Sequence, residues 1–382
     1  MRFIATCKLG LESVVAEELR ALGIEIESVN DARIVFKGDH AAMARACVWL
    51  RTAERVLMIV GEFHAESFEE LYSGVRKIEW RRYLSKNSFI HVNGKSAKSK
   101  LFSVSDCQRI AKKAIVDSLF EAYHTDRLPE NGDEVIIEIG ILRDEVTAAL
   151  DCCGAGLSRR GYRTWNVAAP IAETLGAAIV SLARYRGGVP LIDPMCGSGT
   201  MPIEAAMIAK NIAPGAGRSF AAEKWHFIEG RPFELAREEA RDMVIASDPD
   251  IIGSDIDPHA VEVCKKHAKK AGVNIKWLVR PLSELEAPSE GGIIVCNPPY
   301  GERLMEKREA EKLYREMRVK FDGMTHWDKN IIASHKDFER IYGKKADRRR
   351  KLSNGGMTCT LYRYFAEEGF IRSDSPHSDP NI

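Results

Sequence analysis

The residues of this sequence best suited to chemistry are Asn297-Pro298-Pro299-Tyr300. Consecutive prolines remove backbone donors and fix φ, so the turn is stiff and the Pro298 carbonyl points in one direction. The side-chain oxygen of Asn297, that carbonyl and the ring of Tyr300 are then held close together. Two acceptors and a flat face suit a planar base with an exocyclic amine: its two N–H bonds go to the acceptors and its ring lies against Tyr300. An ordinary strand-ending turn opened by Asn-Pro is the competing reading.

The elements around the tetrapeptide favour the first reading. Gly292-Ile293-Ile294-Val295-Cys296 has no polar alternation and predicts a buried parallel strand, which puts Asn297 at a carboxyl strand end, where open α/β sheets bind ligands. Upstream, Val189–Asp193 reads as another strand, followed by Pro194-Met195-Cys196-Gly197-Ser198-Gly199-Thr200 and a helix from Met201 to Lys210. The G-x-G lets the backbone approach a ligand, and Asp193 can take an ammonium or hydroxyl group. A third glycine at dinucleotide spacing and a G-K-[ST] are both absent from this turn, so neither a dinucleotide nor a P-loop site is indicated there. Asp255 closes the next strand (Ile251–Asp255), the place where an acid holds a ribose diol, while Asp257-Pro258 reads as an N-cap and first helical residue. Ile275–Val279 is the third strand and Asn297 ends the fourth. A helix from Ala172 to Arg186 precedes this Rossmann-like α/β set.

An apolar fraction of 45% with 29% charged residues is ordinary for a globular chain of 382 residues. No apolar run is long enough to span a membrane and the first residues lack a signal-peptide core, so a cytoplasmic protein without a membrane partner is expected. Nine scattered cysteines without a C-x-x-C pair read as reduced thiols, and no metal site is expected. A net charge of +1 places any nucleic-acid argument on local clustering.

Such clustering exists in the amino-terminal half. Residues 1–65 read as strand, helix, two strands, helix, strand, a βαββαβ ferredoxin-like unit with a hairpin turn at Asn30-Asp31. Residues 66–153 add a helix (Phe68–Ile78), a strand (Ser88–Asn93), a helix (Ser105–Tyr123) and a hairpin (Glu134–Leu142, Glu145–Leu150) turning at Arg143-Asp144. Lys95, Lys98, Lys100, Arg109, Lys112 and Lys113, with five further basic residues before them, are opposed in this unit by Glu79 and Asp106. A solvated face is the bland reading of such a run; nucleic acid is the favoured one.

Residues 154–170, rich in Gly and Arg, read as an interdomain segment, and Ala213–Phe233 as an insertion that packs rather than closes as a lid. Beyond the N-P-P-Y stretch come a charged helix (Lys307–Phe321) and strands at Asn330–Ser334 and Met357–Phe365. Lys344–Lys351 between those strands is expected as a basic loop, phosphate-binding or solvated, and Ser373–Ile382 as a disordered tail.

Gly161-Tyr162-Arg163, Asp193-Pro194-Met195-Cys196-Gly197-Ser198-Gly199-Thr200, Glu204-Ala205-Ala206 and Asn297-Pro298-Pro299-Tyr300-Gly301-Glu302-Arg303-Leu304 together resemble the THUMP-containing 23S ribosomal RNA guanine-N2 methyltransferases. The resemblance spans about residues 1–368. It implies a ferredoxin-like subdomain, a THUMP RNA-binding domain and a Rossmann-like methyltransferase domain (171–368) using S-adenosyl-L-methionine. The implied cofactor residues are Tyr162, Asp193, Met195, Cys196, Gly197, Ser198, Gly199, Thr200, Asp255, Ile256, Leu282 and Asn297; the implied catalytic ones are Asn297, Pro298 and Tyr300. Many such enzymes carry an acid after the third strand for the adenine amine. This chain has Arg280-Pro281-Leu282 there, which leaves the adenine to backbone atoms near Leu282. The expected partner is 23S ribosomal RNA or its precursor. Alternatives are a transfer-RNA guanine methyltransferase, an adenine-N6 DNA methyltransferase, and a non-catalytic RNA-binding protein on a decayed fold.

Overall fold

Short apolar runs near the amino terminus pair into an antiparallel sheet, because each strand has a face to bury against two helices. In the computed structural model, which describes residues 1–164, 171–300 and 304–366 (side chains of 304–306 excepted), β1 (Arg2–Thr6), α1 (Glu12–Ala21), β2 (Ile26–Asn30), β3 (Arg33–Lys37), α2 (His40–Trp49) and β4 (Arg55–His64) follow in the expected order. Trp165, Gly301-Glu302-Arg303 and the Ser373–Ile382 tail lie outside the described residues. Asp39 caps α2 by accepting the Ala42 amide at 2.8 Å. The hairpin turn falls at Asp31-Ala32 rather than Asn30-Asp31: Asn30 stays paired with Arg33 and Ala32 takes φ 57°.

The same sheet continues through α3 (Phe68–Arg76), β5 (Phe89–Ala97), α4 (Val104–Tyr123), β6 (Glu134–Leu142) and β7 (Glu145–Asp151), in the strand order β2-β3-β1-β4-β7-β6-β5. The ten residues of β4 pair with β1 near their start and with β7 to their end, so the ferredoxin-like and THUMP parts are two halves of one sheet. Arg143 and Asp144, at φ 55° and 65°, make the two-residue turn whose hand matches strand twist. β5 runs past its expected end at Asn93, because Gly94–Ala97 continue in parallel register with Ile139–Leu142. Lys95 therefore lies in a strand, and only Lys98 and Lys100 in the loop.

The second unit contains α5 (Glu173–Leu182), β8 (Leu191–Asp193), α6 (Thr200–Ala209), α7 (Pro232–Asp242), β9 (Ile251–Asp255), α8 (Pro258–Ala271), β10 (Lys276–Val279), β11 (Gly291–Cys296), α9 (Leu304–Asp322), β12 (His326–Ala333), α10 (Phe338–Tyr342), β13 (Arg348–Asn354) and β14 (Met357–Tyr364), with α7 shared across the boundary. Its sheet has the order β10-β9-β8-β11-β12-β14-β13, the first five strands parallel. Every residue of β11 is buried, as its unbroken apolar run requires. From β8 the chain winds one way through β9 to β10 and the other way from β11 to β12. The carboxyl ends of β8, β9 and β11 therefore flank the topological switch point.

A further expectation changes. Lys344–Lys351 is a loop only as far as Asp347: Arg348 onward forms β13, with Leu352 buried at 3% exposure against β14. Arg349 pairs with Glu339 at 2.8 Å, and Arg350 donates to the Gly10 carbonyl at 2.6 Å and the Ser13 hydroxyl at 2.7 Å, Lys8–Val14 being part of this unit. Those two guanidiniums are committed within the fold. The insertion does pack, and residues 215–239 belong to the first unit. The Gly215 amide donates to the Val48 carbonyl at 2.8 Å, so close that a Cβ there would meet the Val48 backbone at 2.7 Å. Phe227 stacks on Trp225 (centroids 5.4 Å) and meets Tyr83 edge-on at 5.5 Å. Among the described residues no helix is long and apolar enough to cross a membrane.

Candidate active site

Three strand ends build the site. Asp193 closes β8 fully buried; its Oδ1 accepts the Met195 amide at 3.2 Å, while Oδ2 is buried with no hydrogen-bond partner. Burial pushes this carboxyl well above the usual carboxylate range, and the Asp255 charge adds to the rise. Asp255 closes β9 and acts as a latch: Oδ2 accepts the Gly197 amide at 2.9 Å and Oδ1 the Asp257 amide at 3.0 Å. Each oxygen keeps a second lone pair.

The loop between them is shaped by its glycines. Gly197 and Gly199 sit at φ 53° and 79°, in the left-handed region. A Cβ at Gly199 would lie 2.9 Å from the Trp277 ring and 3.0 Å from the Cys264 sulfur. Cys264 donates to the Gly197 carbonyl at 3.1 Å, and a His267 ring nitrogen lies 3.1 Å from the Ser198 carbonyl. Cys196, Ser198 and Thr200 are all under 10% exposed, and the Ser198 and Thr200 hydroxyls lie 3.2 Å apart. The loop thus offers a ligand mainly backbone. Beyond Asp255, Ile256 is 71% exposed and Leu282 is buried. The Arg280 amide donates to the Asp255 carbonyl at 3.0 Å; burial lowers the guanidinium's pKa, and its Nη2 is buried without a partner.

Asn297 follows β11 at the third strand end. The Tyr300 hydroxyl donates to its Oδ1 at 2.7 Å, so the half-buried Tyr300 ring is tethered rather than standing as an open platform. Burial, with Cys359 next to it, pushes this phenol upward. From α9 the buried Tyr314 donates to the Pro299 carbonyl at 3.0 Å and braces the turn from behind.

Tyr162 is buried at 3% exposure and donates its hydroxyl to Glu204 on α6 at 3.0 Å. Arg160 pairs with the same carboxylate at 3.4 Å, both side chains being almost wholly inaccessible. Arg163 donates to the Ile171 carbonyl at 2.6 Å and the Thr200 hydroxyl at 3.1 Å, and pairs with Glu173 at 3.3 Å. This segment anchors α6 and the glycine loop preceding it. Sequence reasoning missed Cys264, His267, Trp277 and Tyr314. The first two lie three residues apart on α8, a helical spacing that puts them on one inward face.

On the first unit the basic cluster is less one-sided than the sequence suggested, because Glu66 and Glu130, distant in sequence, fold against it in addition to the neighbouring Asp106. Lys100 pairs with Glu66, Lys112 with Glu130 at 3.2 Å and Arg109 with Asp106 at 3.0 Å, while Lys113 lies 6.0 Å from the Tyr72 ring centre. Lys95 and Lys98 are exposed.

Comparison with known proteins meets this geometry from outside. Residues 2–57 match the RlmL ferredoxin-like domain, 65–151 the THUMP domain, and 160–363 the RMKL-like methyltransferase domain. The last match covers more than half of the 382 residues. The chain belongs to the RMKL-like methyltransferase family. YpsC of Bacillus subtilis (strain 168), named provisionally as an RNA methyltransferase, is 42% identical over 369 residues, 95% of this chain and 96% of that one. Ribosomal RNA large subunit methyltransferase K/L of Syntrophotalea carbinolica is 34% identical over 99% of this chain but 55% of its own length, so this chain spans about half of that relative. Among solved family structures, SMU.472, a methyltransferase by its description, was crystallised with SAH; it has a TM-score of 0.89 and 40% identity over 96% of this chain and 98% of that one. A Listeria monocytogenes protein described as a predicted N6-adenine-specific DNA methylase has a TM-score of 0.90 and 42% identity over 96% of both chains. These descriptions agree on methyl transfer and differ on the acceptor.

Proposed function

We propose that the chain transfers a methyl group from S-adenosyl-L-methionine to the N2 amine of a guanine in 23S ribosomal RNA. The observation that carries this reading is the row of three strand ends at the switch point: the unpartnered Asp193 carboxylate oxygen, the Asp255 latch and Asn297. The residues present fit the cofactor. Asp193 Oδ2 is a buried acceptor lacking a cation or donor, Asp255 keeps lone pairs for a diol, and Ile256 and Leu282 give an adenine apolar surface, with Met195 to Gly199 lending backbone. Bound there, S-adenosylmethionine would supply an electrophilic methyl group, its S–C bond breaking to leave the thioether S-adenosylhomocysteine, with the proton shed by the methylated amine passing to solvent.

The chain's own residues position the acceptor. An exocyclic guanine amine is a poor nucleophile because its lone pair is delocalised, and its nitrogen gains positive charge as it attacks. Asn297 Oδ1 and the Pro298 carbonyl then hold its hydrogens more strongly than in the ground state, which is differential stabilisation of the transition state. The Tyr300 hydroxyl fixes which end of the Asn297 amide faces the amine and leaves one Oδ1 lone pair for it. Extruding a base costs a few kcal/mol and stacking on one aromatic returns about 1–3, so affinity has to come from phosphate contacts elsewhere. The exposed Lys95 and Lys98 on the THUMP half suit that task. The ribosomal assignment draws on the names of the K/L relatives.

The test incubates the protein with tritiated methyl donor and, separately, 23S ribosomal RNA, transfer RNA and DNA, then digests the polymer to nucleosides. N2-methylguanosine from 23S ribosomal RNA is the expected result. The same nucleoside from transfer RNA alone changes the partner, and N6-methyladenine from DNA overturns the assignment in favour of the activity ascribed to the Listeria relative.

A further inference from the structure

Phe102 is the most exposed large apolar residue among those described, at 84%, and nothing about the fold of the first unit requires it. Its neighbours are tightly organised. Leu101, at 4% exposure, is driven into the core, while the Ser96 hydroxyl donates to the Leu101 carbonyl at 2.5 Å and the Lys100 amide to Asp144 Oδ1 at 2.7 Å. The Phe102 amide donates to the Lys100 carbonyl at 3.1 Å, Ser99 bonds both the Ala97 carbonyl and the Asp144 amide, and α4 begins two residues on. A hydrogen-bonded loop thus fixes the backbone and turns the ring to water.

An aromatic ring kept in water on a rigid support costs hydration free energy and suggests a ligand. Its surroundings select the ligand's chemistry. Lys95 near the end of β5 and Lys98 just past it are exposed, while Lys100, two residues before the ring, is paired with Glu66. A protein partner would want a contiguous apolar patch; one ring among lysines instead matches one base flanked by phosphates. We propose that Phe102 is a stacking platform for an unpaired nucleobase, and that this unit engages single-stranded RNA there. The proposal rests on the reading of the chain as an RNA methyltransferase and adds that its substrate carries an unpaired nucleotide outside the methylated position.

Full-length wild type, Phe102→Ala, Phe102→Leu, Phe102→Tyr and a Lys95→Ala/Lys98→Ala variant are titrated, by fluorescence anisotropy, into a labelled single-stranded RNA and into a fully paired duplex of the same length. Phe102 is 84% exposed, so its truncation removes little buried area and folding is preserved. Alanine and leucine should weaken single-strand binding by about five- to a hundredfold with an unchanged salt slope, tyrosine should bind like wild type, and duplex binding should stay within about twofold. Wild-type affinity in Phe102→Ala, or equal losses on both RNAs, overturns the proposal. Full affinity in Phe102→Leu does so too, since that would mark an apolar rather than a stacking contact. The lysine variant separates the two levels: a flattened salt slope there with an unaffected Phe102→Ala removes the platform and keeps the RNA surface, and no effect in either removes both.

Discussion

Replacing Asp193 by Asn should stabilise the ligand-free protein while weakening its hold on the methyl donor. The carboxyl is fully buried, one oxygen has no partner, and burial raises its pKa well above 3.8. A carboxyl whose folded pKa exceeds its unfolded value keeps a proton that the unfolded chain has released. The stability it lends is complete below the unfolded value and is lost as pH rises toward the folded one. Each pH unit in that window removes about 1.4 kcal/mol. An amide of the same shape carries no such penalty, so Asp193→Asn should raise Tm at neutral pH by roughly 2–4 °C per kcal/mol recovered, and the gain should vanish in acid. Ligand binding should show the reverse. On the proposed reading Asp193 holds the ammonium of the cofactor's methionine part, so binding releases the carboxyl proton and affinity rises up to tenfold per pH unit below the ligand-free pKa. Calorimetry with S-adenosylhomocysteine in buffers of different ionisation enthalpy counts that proton. Asp193→Asn should abolish the release and cost about 1.5–3 kcal/mol, roughly 10- to 150-fold in Kd. A lowered Tm in the variant, or a wild-type Kd flat from pH 5 to 8 with no proton exchanged, would refute the argument.

The remaining tests address the supports of the site. Gly199→Ala places a Cβ 2.9 Å from Trp277 at a φ of 79°, and should weaken S-adenosylhomocysteine binding at least tenfold by calorimetry, with a lower Tm. Glu204→Leu takes its carboxylate partner from the buried Arg160 and its acceptor from Tyr162, so the unfolding free energy in urea should fall by about 3–5 kcal/mol; Glu204→Gln, which keeps one acceptor oxygen, should lose less. Tyr300→Phe removes the hydroxyl that orients Asn297, and should lower kcat about three- to tenfold while the cofactor Kd stays within a factor of two. Asn297→Ala should abolish turnover and spare cofactor affinity; retained turnover would discard the amine-binding role.

The sequence was informative where backbone chemistry leaves few choices. Asp193 and Asp255 end strands where expected, and the Arg143-Asp144 turn, the Asp39 cap and the unbroken apolar β11 each follow from a local rule. What it concealed was partnership at long range. Lys100 faces Glu66, and Arg350 reaches Ser13; no local pattern records either pairing. β13 was hidden for a related reason. Its burial pattern rests on Leu352 alone amid four consecutive basic residues, and its strand character comes from the open edge of β14 rather than from propensity. The helix α7 was hidden because its residues are mostly charged and its packing partner, Arg45 paired with Glu239 at 2.8 Å, lies 194 residues away.

The same division separates what the site determines from what it does not. On the proposed reading Asn297, Pro298 and Tyr300 hold an amine on a flat base, and proteins 42% identical to this chain are described as acting on RNA or on adenine in DNA. An amine pocket discriminates weakly between such bases unless other groups read their edges. Substrate choice must therefore come from surfaces beyond the reacting corner, and the first unit offers one: a continuous sheet whose rim carries exposed lysines and an exposed ring. Changing that rim should redistribute methylation among RNAs and alter KM. Changing Tyr300 should slow every substrate alike and alter kcat. If Lys95→Ala/Lys98→Ala and Tyr300→Phe instead produced the same kinetic signature across substrates, recognition and chemistry would not be separable in this chain, and the acceptor would have to be sought in the pocket itself.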